Sequence, residues 1–566
     1  MTRSVPVGEI RELGDRALLI GVEDAAAARV LARSLGAAVE ASGALGEGGE
    51  IVVGLATVMV ALGTGGDVEA ARAVVARQMG AGEQTQRRPE GDGSGTGRLV
   101  TIPCRFDGPD LDEVSGLSGC PRQEVVELMT AHPLTVGVMG FSPGFAFLTG
   151  LPEVLRRVPR RPRPRPAVPP GSVALANGHA AVYPTASPGG WQLIGRTGEP
   201  MFSLSAPPYA RLAAGDRVHF TVAGESDRVV PEPLSMPEWT PPEAARHLFD
   251  VVSPGLRTVR QDGGRRCVAG IGVPAAGPAD PISFALANRL VGNPEEAGAL
   301  EVTAQGPTLR ARAPGYVAVV GGRPEIRLGG RALAAGQVFP VREGQELVIG
   351  PVRHGLRTYV AVAGGLVGPD LFASCSSDQL CGLGPGPLVA GDALHAGAMT
   401  PPLGDHLGGE WADGSGPQAP VVLRVLPGPH AEWFEPDALP VLEGARFRVA
   451  GESNRVGLRL QAEGALALRA AGRADHELDS QGMVVGALQV PPGGDPVVLM
   501  TDHATLGGYP VLAVVATVDH GRLGQCAPGD TVAFRPINHA TARRELAQQR
   551  RAIGRGVVGH YPLAVQ

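Results

Sequence analysis

The sequence predicts a mainly β protein, an N-terminal α/β domain followed by tandem β-barrels, and three observations carry that reading. First, 82 glycines and 52 prolines among 566 residues are about twice the ordinary share. Yet 43% hydrophobic content is too high for a disordered chain, so many short strands joined by turns is the natural interpretation. Second, one pattern occurs three times, in Leu212–Phe220 (LAAGDRVHF), Leu388–Leu394 (LVAGDAL) and Cys526–Phe534 (CAPGDTVAF): an apolar stretch, a Gly-Asp turn, then a strand. Each copy follows a Gly-Gly pair, at Gly189, Gly364 and Gly507. Repetition in fixed order argues for three related β units, each a barrel that closes its own edges. Third, residues 1–80 read differently, with N-cap residues and helical composition.

Within residues 1–80, Arg16–Ile20 and Val58–Leu62 look like strands, and Asp24–Leu35 and Asp67–Met79 like capped helices. Residues 81–98 form a polar, Gly-rich flexible linker. The first barrel covers 99–222, opening on the strand Leu99–Cys104 and two short helices, Asp110–Leu117 and Pro121–Ala131. In Gly140–Gly150 (GFSPGFAFLTG) three aromatics alternate with turn formers. They either line a flat slot for a ring or amide or plug the barrel end. Arg156–Arg165 interleaves six arginines with prolines, either a solvated polyproline II loop or an anion clamp. A Pro-rich linker, 223–247, separates this half from a second barrel domain, 248–415, with a helix from Pro281 to Leu290, and a third, 416–537, before a C-terminal tail, 538–566.

A net charge of −6 leaves no electrostatic footprint for nucleic acid, and no apolar run reaches the length of a membrane span. The N-terminus has no apolar signal segment, so a cytoplasmic protein is expected. Six cysteines without a C-x-x-C pair are expected to be reduced thiols rather than a metal cluster, and no metal is assigned. All 50 basic residues are arginine. A P-loop, a pyridoxal phosphate Schiff base and a biotin attachment site all need lysine, so none can reside on this chain. An anionic substrate must then be held by arginine, backbone N–H groups or a metal.

The candidate site residues concentrate at strand ends. The apolar run Val497–Met500 leads into Thr501, Asp502, His503 and Thr505, then Gly507 and Gly508, the way a barrel rim presents chemistry. Asp502 beside His503 suits a metal or proton-transfer pair, the alternative being an Asx-type turn with His503 only hydrogen-bonded. Adjacent strand residues face opposite ways, so direct pairing needs an irregular turn there. Pro169-Pro-Gly before Val173–Ala180 parallels Pro491-Pro-Gly before Val497–Ala504, which makes His179 and His503 equivalent. Asp502, His503, Thr505, Tyr509 and Arg455 are expected to line one pocket, and Phe141, Phe145 and Arg196 another. A further polar rim holds Gln261, Asp262 and Arg265 beside two glycines, then Gly277–Asp280. Turn chemistry explains these residues singly, and their convergence with an arginine points to binding.

These motifs also carry a resemblance. Gly140–Leu148, Val168–Val173 (VPPGSV) and Ser187–Thr197 (SPGGWQLIGRT) resemble the B subunit of the bacterial ATP-dependent 5-oxoprolinase, also called allophanate hydrolase subunit 1. Gln261-Asp262, Gly277–Asp280, Asn288–Asn293 (NRLVGN), Leu300-Glu301, Glu452–Arg455 (ESNR), Glu477–Gly482 (ELDSQG) and Gln489–Pro510 resemble its C subunit, allophanate hydrolase subunit 2. The resemblance implies cyclophilin-like barrels. It also implies ATP-dependent opening of the lactam of 5-oxoproline to glutamate, with ATP and magnesium used in a complex with a separate 5-oxoprolinase A subunit, and no turnover by this chain alone. Urea carboxylase has the same two domains, so carboxyl transfer to urea, allophanate or a related amide with a biotin protein in trans is the alternative. A related pair that regulates a sensor histidine kinase supplies a non-enzyme reading, and a homo-oligomer stays open. The readings together nominate Asp502, His503 and Thr505 as catalytic. For substrate or nucleotide they nominate Phe141, Pro143, Gly144, Phe145, His179, Trp191, Arg196, Gln261, Asp262, Arg265, Asp280, Asn454, Arg455, Gln489, Gly507, Gly508 and Tyr509. The chain departs from the family's usual pattern at His179-Ala-Ala, where Gln-Thr-Gly is common, and at Ala504 and Leu506, where Gln and Thr are usual.

Overall fold

The structure, a computed structural model, describes residues 5–85, 97–224, 230–231, 234–404, 406–407, 420–462 and 478–558. Most of the expected linker 81–98, the expected boundary near 415, Glu477 and the last eight residues lie outside them.

The N-terminal domain is an antiparallel sheet of Ile10–Glu12, Ala17–Gly21, Thr57–Ala61 and Glu50–Val53, in that spatial order. Its helices, Ala25–Ser42 and Val68–Thr85, begin where Asp24 accepts the N–H groups of Ala26 and Ala27 and Asp67 those of Glu69 and Ala70. They outrun the expected helices because nothing stops the first before Gly43, which takes the left-handed conformation at φ 65°. Strand alternation then divides the sheet. Leu18, Ile20, Val58 and Val60 pack under the helices, whereas Ala17, Leu19 and Met59 pack against residues of the first and third β units, among them Phe145, Trp191, Leu506 and Val514.

The first unit is a seven-stranded barrel of β1 (Leu99–Cys104), β2 (Leu134–Met139), β3 (Ala146–Thr149), β4 (Ser172–Ala176), β5 (His179–Val182), β6 (Gln192–Arg196) and β7 (Arg217–Val222). Its order is β1-β7-β2-β3-β5-β4-β6, and two 2.9 Å bonds between Arg105 and Arg196 bring β6 back to β1. The third unit repeats this with β8 (Val421–Pro427), β9 (Phe447–Val449), β10 (Gly457–Ala462), β11 (Ala487–Gln489), β12 (Val497–Leu499), β13 (Val511–Val515) and β14 (Thr531–Pro536). It is a closed barrel in the order β8-β14-β9-β10-β12-β11-β13. Every strand of the first unit maps onto the one seven numbers higher, including the parallel pairs β1/β7 and β8/β14.

The three Gly-Asp turns are one device. Gly215, Gly391 and Gly529 sit at φ 96°, 94° and 92°. Each donates its N–H to a strand valine, Val136, Val251 or Val449, which returns its own N–H to the carbonyl of the following aspartate. The carboxylates of Asp216, Asp392 and Asp530 then cap the N–H three residues back, at Ala213, Val389 and Ala527.

Three expectations are corrected. The middle unit is not a third barrel of the same kind. Its seven-stranded sheet, which includes Arg246–Ser253 and Ala393–Ala396, packs on a separate five-stranded sheet that includes Ala299–Thr303 and Arg357–Val362. The two share one core of Leu248, Phe249, Leu347, Val302 and Val360, because the strands between Val251 and Gly391 are divided between two sheets that face each other across it. His179 and His503 are not equivalent either: His179 opens β5, and His503 follows β12, the counterpart of β5. Pro169-Pro-Gly precedes β4, whereas Pro491-Pro-Gly lies in the β11–β12 hairpin. Finally, the expected tail is largely a helix, His539–Arg555, capped by Asn538 and burying Ala542, Leu546 and Ile553.

Candidate functional site at the junction of three units

The loop after β2 is where the chain's parts meet. Gly140, at φ 154°, is forced to be glycine: a β-carbon there would fall 2.4 Å from Leu506 and 3.1 Å from Thr505 Oγ1, on the rim of the third unit. Next, Phe141 adopts φ 75°. Ser142 and Pro143 lie against Gly272, and the Gly144 N–H donates to Ile271 O at 2.9 Å, tying the loop to the middle unit. Non-glycine residues with positive φ gather in the segments around this junction: Phe141, Cys267, Ala276, Phe372 and Ala373 are five of the seven among the described residues. Such backbone conformations concentrate where a site over-determines them.

Below the loop lies an aromatic cluster. Phe145 packs edge to face on Phe141, Phe147, Tyr183 and Trp191 with ring centroids 5.1–5.8 Å apart. Phe145 is 2% and Trp191 6% exposed: the rings fill the seam between the outer face of the first barrel and the N-terminal sheet, packed with Ala17, Leu19 and Met59, and so neither line an open slot nor plug the barrel interior. The Arg-Pro segment is likewise engaged, Arg161 and Arg165 both reaching buried Asp110 at 2.7 Å.

The middle and third units are clamped by one buried guanidinium. Arg455 donates to both oxygens of Asp502 at 2.9 and 2.8 Å, to Glu301 Oε1 at 2.5 Å and to Gly277 O at 2.6 Å. Glu301 also accepts from the Tyr359 hydroxyl and the Ala279 N–H and faces Arg357. Burial raises the pKa of Glu301, and Arg455 and Arg357 outweigh it, so the carboxyl stays below its ordinary value. Asp280, held up by burial, caps the helix Pro281–Leu290 and takes the Gln525 amide of the third unit.

Beside this clamp, Asp262 fastens a loop: it accepts from the Ser374 and Ser376 hydroxyls and the Cys375 and Gly264 N–H groups. The same loop turns back so that the Gln379 N–H donates to Asp502 at 2.9 Å. On it stands Asp378, whose Oδ1 accepts the Cys381 N–H and whose Oδ2 is buried without a partner. Burial first, then the neighbouring Asp502, push its carboxyl up to about 7. Arg265 leaves Nε and Nη1 without partners, and so do Ser142 Oγ, Gln261 Oε1 and Thr505 Oγ1. Unsatisfied buried polar groups are rare in folded proteins, and several in one place mark where a ligand belongs.

The junction therefore unites Phe141, Pro143, Gly144, Gln261, Asp262, Arg265, Asp502, Thr505 and Arg455 from the sequence reading. It corrects the Asp502–His503 pair: the Asp502 carboxylate is committed to Arg455, and His503 bonds through Nδ1 to the Ala504 carbonyl at 2.7 Å. Burial lowers the His503 pKa, so the ring is neutral with Nε2 available as an acceptor. Gln489 turns its amide to Met483 and over Gly507, and Gly508 lies by Leu478. Elsewhere lie His179 beside Phe147, Arg196 paired with Asp107, Asn454 capping Val456 and Gly457, and exposed Tyr509. Asp378, Ser142, Arg357 and Tyr359 escape the sequence reading; the run of Ser374–Asp378 (SCSSD) is the available signal for the first. A cavity of about 590 Å³ near Glu9, Arg11, Glu12 and His539 is a separate feature whose charges pair among themselves. Among the described residues no group of three or more His, Cys, Asp or Glu side chains is placed to hold a metal ion, and no helix is long and apolar enough to cross a membrane.

Comparison with known proteins agrees with this division into halves. The carboxyltransferase domain, subdomain C and D, matches residues 8–212, and subdomain A and B matches residues 271–536. The chain is 34% identical to the 5-oxoprolinase C subunit of Escherichia coli over 293 residues, 51% of this chain and 90% of that protein. It is 41% identical to the 5-oxoprolinase B subunit of Bacillus subtilis over 133 residues, 23% of this chain and 55% of that one. Against urea amidolyase of Lachancea kluyveri it is 32% identical over 337 residues, 54% of this chain but only 18% of the larger enzyme. The crystal structure of TTHA0988 superposes with a TM-score of 0.78 at 32% identity, covering 92% of this chain and all of that one. With both half-domains matched in order and one relative covered almost end to end, the chain belongs to the carboxyltransferase-domain family of the 5-oxoprolinase B and C subunits and urea amidolyase, the two halves fused in one polypeptide.

Proposed function

We propose that this chain is the fused B and C component of an ATP-dependent 5-oxoprolinase that opens 5-oxoproline to glutamate with a separate A subunit. The observation that supports this most is the junction itself: the Gly140–Gly144 loop of the B-like half completes a polar site on the C-like half, so neither half has the site alone. An unstrained lactam is a poor electrophile, and attack on it needs its oxygen polarised or phosphorylated and its leaving nitrogen protonated. Asp378 and neutral His503 are the proton carriers of this reading, and Thr505 with Ser142 supplies hydroxyls. At the junction Arg265 has two open N–H groups and Arg357 one, enough for one carboxylate or phosphoryl group and too few for a triphosphate. ATP and its magnesium are therefore assigned to the complex with the A subunit.

The test mixes the purified chain with a 5-oxoprolinase A subunit and follows glutamate formation from 5-oxoproline with and without ATP. Turnover should need both proteins and ATP; robust turnover by the chain alone, or none by the mixture, counts against the proposal. The match to urea amidolyase favours a second reading, carboxyl transfer to urea or a related amide. Carboxylated biotin carrier added in trans with urea separates the two.

A further inference from the structure

Arg265 is 3% exposed, and its only bond from the guanidinium runs from Nη2 to Ser376 O, while Nε and Nη1 meet nothing. Three carboxyl groups face it, Asp378, Asp262 and Asp502. Two are spent: Asp502 on Arg455 and the Gln379 N–H, Asp262 on two hydroxyls and two backbone N–H groups. The third, Asp378, has Oδ2 open, yet Arg265 does not fill it. A buried charge without a partner is among the costliest things a fold can hold, and it persists where a ligand completes it. The fold also keeps space for the guanidinium. Gly384, at φ 81°, would put a β-carbon 2.8 Å from Nη2.

We infer that Arg265 is the receptor for a carboxylate on the substrate, with Asp378 beside it meeting the amide, so that the site takes small amides that bear an acid and rejects neutral ones such as urea. This rests on the reading that the junction binds the amide. Planar carboxylate matches the two open N–H directions of a guanidinium. Because those N–H groups are shut from solvent, the loop from Phe372 to Gly386 gives way on entry. Phe372 and Ala373, at φ 56° and 58°, are where it bends.

Calorimetric titration of 5-oxoproline, 2-pyrrolidone (the same lactam without the acid) and urea tests this, on the chain alone and on its mixture with the A subunit. Only 5-oxoproline should bind the parent. Arg265→Gln should weaken it about 10²-fold or more, and Arg265→Lys should recover part of that. The inference is overturned if 2-pyrrolidone binds as well as 5-oxoproline, if Arg265→Gln binds unchanged, or if 5-oxoproline binds neither preparation. Arg265-dependent binding without glutamate formation would leave the carboxylate receptor standing and sink the reaction. Glutamate formation with an unchanged KM in Arg265→Gln would do the reverse.

Discussion

Replacing Arg455 by Met should loosen the clamp between the middle and third units, and the structure sets the size of the loss. The substitution roughly keeps volume and removes four hydrogen bonds, two to Asp502, one to Glu301 and one to Gly277 O. Both carboxylates are fully buried. Glu301 keeps Arg357, the Tyr359 hydroxyl and the Ala279 N–H, whereas Asp502 is left with the Gln379 N–H and a 3.5 Å contact from Thr501. Most of the penalty therefore falls on Asp502, and orphaning one buried charge costs about 3–5 kcal/mol. Urea unfolding followed by tryptophan fluorescence should show that loss. Neutralising the orphaned carboxylate with Asp502→Asn in the Arg455→Met background should recover part of it. A loss under about 1 kcal/mol, or one that Asn does not relieve, would refute the assignment of Arg455 as the clamp.

Other outcomes follow from the same geometry. Asp378, held up to about 7, has a folded pKa above its unfolded one, so the parent should lose stability as pH rises from 6 to 8, and Asp378→Asn should flatten that slope; equal slopes would show that Asp378 titrates normally. In the complex with the A subunit, His503→Ala should slow turnover by about 10²-fold with the melting temperature unchanged, since its ring bonds only the next carbonyl; full turnover would make His503 a turn residue. Gly140→Ala forces a β-carbon into Leu506 and should cost about 1–3 kcal/mol by overpacking and uncouple the two halves in the activity assay. Parent-like melting and turnover would mean that the loop does not need its contact with the third unit.

What the sequence revealed and concealed follows from range. The Gly-Asp turns were legible because glycine with positive φ and an aspartate capping three residues back are local demands, the same in each copy. The N-terminal helices were legible from Asp24 and Asp67 for the same reason. The second sheet of the middle unit was not, since alternation tells which face of a strand is buried and not which strand it pairs with. At the junction, the Gly140–Gly144, Gln261–Arg265 and Asp502–Thr505 segments stood out because turn formers alternate there with polar or aromatic groups. That His179 belonged elsewhere was hidden, because Pro-Pro-Gly serves equally before a strand and within a hairpin. Asp378 sits in a loop without periodicity, and only the fold brings it within reach of Asp502 and Arg265.

The valine–aspartate closures also say something about how the chain reaches this state. Val136 meets Asp216 across 80 residues, Val449 meets Asp530 across 81, and Val251 meets Asp392 across 141. Each closure joins an early strand of its unit to the turn that opens a late one, so no unit can seal until most of it has been synthesised. Contacts of such sequence separation are slow to form, because loop entropy is lost before the contact returns anything. The first unit can seal while the rest of the chain is still emerging from the ribosome. The middle one stays open for the longest stretch, with unpaired strand edges exposed, and is the segment whose misassembly most threatens the yield of folded protein.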